Sequence, residues 1–207
     1  MSTADSTTGT SKREALAPWR SPLSRALHRN RSVPFCRYLQ LATLRLDGTP
    51  ANRTVVFRGF WADTNQLMFI SDLRSDKTAQ VQRTPEAEAC WYFTKTREQF
   101  RLSGQLMLVS ADSETSYQLA RQQLWQNISE NARLQFAWPQ PKAPRAEAAA
   151  FDPLAPDETT PPATFTLLLL SVRSVDHLVL RGEPQHRHLY KRDSDDAQTW
   201  STVAVNP

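Results

Sequence analysis

Two cysteines, Cys36 and Cys90, make up the whole thiol content of the chain. That is too few for a disulfide scaffold, and each lies in an apolar run, so a buried free thiol is expected at both. Long hydrophobic runs are missing as well. The strongest stretch, Phe165 to Leu170, is interrupted by Thr166 and falls far short of the ~20 residues a membrane helix needs. No membrane partner is therefore expected. Residues 1–14 are rich in Ser and Thr without an apolar centre, so they read as a flexible tail and not as a secretion signal. A cytoplasmic address follows by default. Histidine is scarce, with His28, His177, His186 and His188 the whole set. His186 and His188 flank Arg187, but no second Cys or His pair supports them, so no metal is expected. Internal repeats are absent.

What is present describes a globular chain. Its 207 residues, 40% hydrophobic and 22% charged, suit one folded domain over residues 15–207. The net charge is +4 and the isoelectric point is about 9.3. That balance fits an anionic ligand such as a phosphate, or nucleic acid, or a basic surface with no particular partner. Many of the 14 prolines cluster between Pro139 and Pro162. Residues 139–163 therefore read as a Pro/Ala-rich surface excursion within the domain.

Periodicity and punctuation outline the elements. Ser21-Pro22 reads as a helix start, with Ser21 as cap, and the helix runs to Asn30. Strands follow at 39–44, 52–60 and 67–70, the first two joined at Asp47-Gly48, and together they suggest an antiparallel meander. A helix opens at Ser75 and stops before Pro85. Two long strands, 87–94 and 100–110, precede a helix from Asp112 to Trp125 and a shorter one from Ser129 to Phe136. Beyond the excursion, strands are expected at 164–175, 177–180, 189–192 and 200–205. The fold class is mainly β with helices (α+β), an antiparallel arrangement closing into a small barrel.

Four segments carry candidate chemistry. In Arg53-Thr54-Val55-Val56-Phe57-Arg58, two arginines bracket an apolar strand and could reach one anion from two points; two solvated edge charges would look the same. Between Ile70 and Lys77 a strand ends, a polar turn follows and a helix begins. Its free N–H groups, Ser71, Ser75 and Lys77 are the parts of a phosphate cradle, although Ser75 could be an N-cap alone. Gln99, near the start of a strand, can donate to and accept from a heterocycle edge. Arg187 sits between His186 and His188 near the C-terminus.

In order and spacing these segments resemble the pyridoxamine 5'-phosphate oxidase-like FMN-binding proteins. Arg53 to Arg58 is similar to that family's Arg-x-Val-x-x-basic strand. Ser71, Ser75 and Lys77 match its phosphate turn. Gln99, Arg101 and Gly104 match its Arg-Gln-Val-Arg-x-x-Gly strand, and Arg187 with Leu189 and Tyr190 its C-terminal motif. The resemblance covers about residues 20–207, and Arg121–Trp125, Ser129–Arg133 and Phe136–Pro141 point to an oxidase-related branch common in cyanobacteria and plants. It implies a split β-barrel, a homodimer with FMN sites built from both chains, and hydride chemistry at flavin N5. Arg53, Ser71, Ser75 and Lys77 would hold the phosphate, with Arg58 nearby and Val55, Val56 and Ile70 alongside. Gln99 would bond the ring edge, and Arg187 would place positive charge near it.

Several positions depart from the family. Asp76 stands where the family has a phosphate-binding arginine, Glu183 and Gln185 where the oxidases hold substrate with arginine and histidine, and His177 in place of a tryptophan beside the flavin. The helix from Tyr117 to Trp125 lacks the residues that grip a substrate phosphate. The resemblance thus implies an FMN-dependent oxidoreductase whose small-molecule substrate is not the usual vitamin B6 phosphates. The alternative is an FMN-binding protein without turnover, a flavin store or sensor. Binding of nucleic acid is not expected, because Trp91, Tyr92 and Phe93 lie in a strand that reads as largely buried.

Overall fold

The computed structural model describes residues 15–194 and 199–207; the tail expected over 1–14 lies outside them. The apolar run around Phe165 is the start of its central strand. This strand, β7 (Phe165–Val179), pairs along one edge with β6 (Glu98–Val109). Its other edge is shared. β4 (Leu67–Asp72) pairs with residues 165–170, and β8 (His186–Arg192) pairs with residues 174–179. Two neighbours on one edge split the sheet into two directions. From β7 it continues one way through β6, β5 (Glu86–Phe93), β1 (Tyr38–Leu44) and β2 (Pro50–Val56). The other branches lead through β4 to β3 (Gly59–Phe60) and through β8 to β9 (Trp200–Val205). All pairings are antiparallel. The chain is the split β-barrel that its sequence implies.

The first half of β7 is buried on both faces, which is why its sequence is a run and not an alternation. Leu168 and Leu170 join Trp19, Leu23, Phe69, Trp91 and Phe100 inside the barrel. Phe165, Leu167 and Leu169 pack on the other side against Leu124 and Trp125 of α3 (Thr115–Asn127). Each such leucine contributes about 1.5–3 kcal/mol through burial. Helix α1 (Arg20–Arg29) covers the barrel interior with Leu23 and Ala26. The short α2 (Asp76–Arg83) follows β4, and α4 (Glu130–Leu134) follows α3, with Ser129 Oγ accepting from the Ala132 amide at 3.3 Å.

Several expectations change. Ser21 caps nothing: α1 begins two residues before Pro22, with Trp19 in the cap position and no side-chain cap. The expected strand over 52–60 divides in two. After β2 the Phe57 amide bonds the Arg37 carbonyl and the Arg58 amide bonds the Met68 carbonyl, so the chain passes from β1 to β4. Gly59, at φ +133°, permits that switch. No meander forms, because β2 pairs with β1 while β4 pairs with β3 and β7. α3 starts at Thr115 and not at Asp112, since Ser110 and Ser113 first close a turn on each other. The strands expected at 164–175 and 177–180 are one strand, whose irregularity is one extra residue, Arg173, set opposite the Ser103–Gly104 step of β6. Cys36 and Cys90 are free but only half-buried. Of the aromatic triplet, Trp91 and Phe93 point inward, while Tyr92 is 45% exposed.

Candidate functional site

The end of β4, the start of α2 and the end of β2 meet at one corner of the barrel. The β4 strand leaves Ile70 half-buried and Ser71 buried, and the chain turns at Asp72–Ser75 to begin α2. Ser75 holds the N-cap position, yet its side chain caps nothing. Its hydroxyl donates instead to the Asp72 carbonyl at 2.7 Å. Lys77, one residue into the helix, curls back over the turn. Its Nζ donates to Ser71 Oγ at 2.9 Å and to Ser75 Oγ at 3.1 Å. The hydroxyls and the ammonium thus converge beside the free N–H groups of the helix start. Burial, reinforced by the nearby Arg53 charge, pushes the Lys77 ammonium below its usual range. A cation in this state gains from an anionic neighbour.

Arg53 reaches this corner from β2, and Arg58 from the residues just after it, where its amide bonds the Met68 carbonyl of β4. Arg53 is anchored by Gln80 Oε1 at 2.8 Å and by Thr43 Oγ1 at 2.5 Å. It lines a cleft of about 380 Å³ together with Ser75, Asp76 and Lys77. Arg58 lines a larger cavity of about 660 Å³ with Val56, Ile70, Ser71 and Lys77. The Arg58 Nε is buried without a partner, and burial depresses its affinity for the proton. Val55 points into the barrel core, so only its main chain faces this region. Lys77 borders both clefts and connects them.

The excursion contributes the far wall. Residues 138–146 and Phe151 line the same 660 Å³ cavity as Arg58 and Lys77. Arg74 holds this wall in place: its guanidinium grips Asp72 in a two-pronged pair and donates to the Trp138 carbonyl at 2.9 Å and to the Phe136 carbonyl at 3.2 Å. Lys142 closes an ion pair with Asp76. The sequence had marked none of Thr43, Gln80, Arg74 and Lys142. Gln80 carried a signal, as a polar residue beside Val81 on a helix face; Lys142 carried none.

Gln99 and Arg187 lie elsewhere, and they lie together. Gln99 pairs with Leu178, and Leu178 pairs with Arg187. Directly opposed residues share a face. Tyr92, Gln99, Leu178, Arg187 and Val205 therefore form one row across five strands. Arg187 is held by Asp176 at 2.9 and 2.5 Å, and this pair draws the Asp176 carboxyl below its usual range. His177 faces the other way. It is buried, stacks on Phe100 at 3.9 Å between centroids, and lies 3.0 Å from Glu98 Oε2. The β7 residue beside Gln99 and Arg187 is thus Leu178, and His177 lies on the opposite face of the strand. Glu183 is exposed in the β7–β8 turn, with Gln185 half-buried next to β8. Arg121 is buried and spent on main chain, donating to the Phe165 carbonyl at 2.8 Å and the Pro162 carbonyl at 2.6 Å.

The chain is similar to known proteins over most of its length. Residues 16–110 match the model of the pyridoxamine 5'-phosphate oxidase FMN-binding domain, a stretch that contains Arg53, Arg58, Ser71, Ser75, Lys77 and Gln99. Pyridoxine/pyridoxamine 5'-phosphate oxidase 2 of Arabidopsis thaliana is 33% identical over 194 residues, covering 93% of this chain and 98% of that protein. A crystal structure of a pyridoxamine 5'-phosphate oxidase-related, FMN-binding protein from Nostoc punctiforme superposes with a TM-score of 0.89 at 56% identity, over 93% of this chain and all of the other. PhzG from Burkholderia lata shares the fold at 20% identity and a TM-score of 0.73, over 90% of this chain and 91% of that one. FMN, the cofactor implied by the sequence, is the one for which the matched domain is described. With the strand, the turn and the helix start that carry its motifs meeting at one corner, this chain belongs to the pyridoxamine 5'-phosphate oxidase family of FMN-binding split-barrel proteins.

Proposed function

We propose that the protein is an FMN-dependent oxidoreductase, active as a homodimer, whose substrate is not a vitamin B6 phosphate. The observation that carries the cofactor site is the convergence of Lys77, Ser71 and Ser75 at the start of α2, next to the unpartnered Nε of Arg58. This donor set fits a phosphate monoester. It presents an ammonium, two hydroxyls and helix N–H groups, and the half-buried Lys77, its proton affinity lowered by burial and by Arg53, gains from an anion. Arg53, fixed by Gln80 and Thr43, adds a second charge along the adjoining cleft. Val56 and Ile70 line the apolar part of the cavity, where a ring would lie.

FMN, when bound, supplies the hydride chemistry; the protein orients it and excludes water. Gln99 and Arg187 belong to this proposal as residues that a second copy brings. They share an open sheet face with Tyr92, Leu178 and Val205, away from the Lys77 corner. That distribution supports a site completed across a two-fold interface. Trp91 and Phe93, being core residues, add nothing to that interface. The cytoplasmic setting in this proposal rests on the sequence, and no helix among the described residues is long and apolar enough to cross a membrane.

The substrate proposal rests on the missing phosphate grip. Arg121 is the cation that α3 offers, and its Nε and one terminal nitrogen are bound to carbonyl oxygens. Glu183 places negative charge at the β7–β8 turn. The name of the Arabidopsis relative favours a second reading, oxidation of pyridoxine or pyridoxamine 5'-phosphate itself. One set of measurements separates them. Flavin content by absorption tests the cofactor, and oxygen consumption with both vitamers tests the substrate. A colourless protein that takes up no FMN overturns the proposal as a whole.

A further inference from the structure

Asp76 puts a carboxylate on the first turn of α2, where the positive end of the helix dipole would otherwise serve an anion alone. It does not stand by itself. The Lys142 ammonium, sixty-six residues away in sequence, is ion-paired to it. Lys142 borders both clefts of the cradle, sharing them with Lys77.

We propose that Lys142 is a ligand of the cofactor phosphate, delivered by the Pro/Ala-rich excursion and held in place by Asp76. The inference rests on the FMN proposal above and adds a residue to it. Asp76 then acts as a positioning residue, and the cradle carries Arg53, Lys77 and Lys142 around the anion.

Three further observations support this assignment. Lys142 adopts φ +65°, in the left-handed region that a lysine rarely occupies, so the excursion holds its backbone in a costly conformation at this point. The excursion around it is fixed rather than loose. Arg74 grips the Phe136 and Trp138 carbonyls, Trp138 packs edge-on against Phe151 at 5.8 Å, and Arg145 lies over the Phe151 ring at 4.1 Å. Finally, the ion pair has little value as a brace. The side chains are 74% and 53% exposed, and pairs in that setting contribute little to stability. An anion between Lys77 and Lys142 gives the pair a purpose that stability does not.

The test uses the full chain stripped of flavin and titrated by fluorescence with FMN and, as the phosphate-free probe, riboflavin. Lys142→Ala is expected to weaken FMN about ten-fold, the loss of one charge-assisted contact, and to leave riboflavin affinity unchanged. Adding Asp76→Arg to Lys142→Ala places a cation directly on the helix and is expected to restore FMN binding. Wild-type FMN affinity in Lys142→Ala overturns the inference, as does an equal loss of FMN and riboflavin. Lys77→Ala serves as the reference. If it weakens FMN and Lys142→Ala does not, only the role of Lys142 falls; if neither weakens FMN, the cofactor site itself is misplaced.

Discussion

Arg121 donates from Nε to the main-chain carbonyl of Phe165 at 2.8 Å, inside the contact between α3 and β7. A guanidinium used this way orders the start of the central strand and is withdrawn from ligand binding. Turnover of pyridoxine and pyridoxamine 5'-phosphate is therefore expected to fall well below ~1 per second, the lower end of ordinary enzyme rates. Oxygen uptake at saturating FMN is the measurement, and ordinary turnover with either vitamer would show that another group grips the substrate phosphate. Arg121→Met should also lower stability by about 1–3 kcal/mol, since buried carbonyl oxygens lose their donors. Thermal unfolding reads that loss directly.

Lys77→Ala should weaken FMN by about 1–3 kcal/mol, the size of a lost charge-assisted hydrogen bond in a partly buried setting. Titration of the flavin-free protein measures it. Unchanged affinity would place the phosphate elsewhere.

The depressed proton affinity of Lys77 gives FMN binding a direction with pH. In the free protein Lys77 loses its proton below the ordinary lysine value of 10.5, chiefly through burial. A bound phosphate raises that proton affinity, so binding holds on to a proton and weakens as pH rises through the free-protein value. Affinity should thus fall on the alkaline side, before pH 10.5 is reached. Lys77→Arg should flatten the decline, because the guanidinium stays charged. A profile that is the same in both proteins would remove Lys77 from the site.

A homodimer is expected by light scattering, with one FMN per chain. Leu178 sits at the centre of the row that contains Gln99 and Arg187. Leu178→Asp should place an unpaired charge on the shared face, yield monomers and weaken FMN together. A stable monomer that keeps its full FMN content would refute the shared site.

Gly104→Ala tests the frame that positions these residues. A Cβ at Gly104 would lie 2.8 Å from the Ser171 carbonyl carbon and closer still to its oxygen, both of them main chain in β7. The strands must part where β7 carries its extra residue, Arg173, so a loss at the upper end of about 1–3 kcal/mol is expected in denaturant unfolding. Wild-type stability would mean that the two strands are not held this close.

Much of the site was legible because its parts are local. The Ser71–Lys77 turn is seven residues of strand end, loop and helix start, and sequence distance alone keeps its donors together. Arg53 and Arg58 also come from one short segment, so both stay near this turn although β2 ends between them. Hairpins were harder. Nothing within residues 52–60 says that the chain leaves β1 for β4 after Val56; that depends on which carbonyls stand free when the sheets meet. The facing of His177 was likewise decided by register, since one residue along a strand reverses the side.

The sequence by itself determined the family, the cofactor, the mainly antiparallel class and the turn proposed to hold the phosphate, because each is written in short segments whose chemistry does not depend on distant partners. The tertiary structure alone decided what the long excursion does. Residues 138–151 have no periodicity, yet they wall the cavity beside Arg58 and bring Lys142 to Asp76. It also decided that Arg121 serves the Phe165 and Pro162 carbonyls. The physical reason is common to both. A charged side chain takes its role from the groups that desolvate and pair with it, and in a barrel those groups lie tens of residues away.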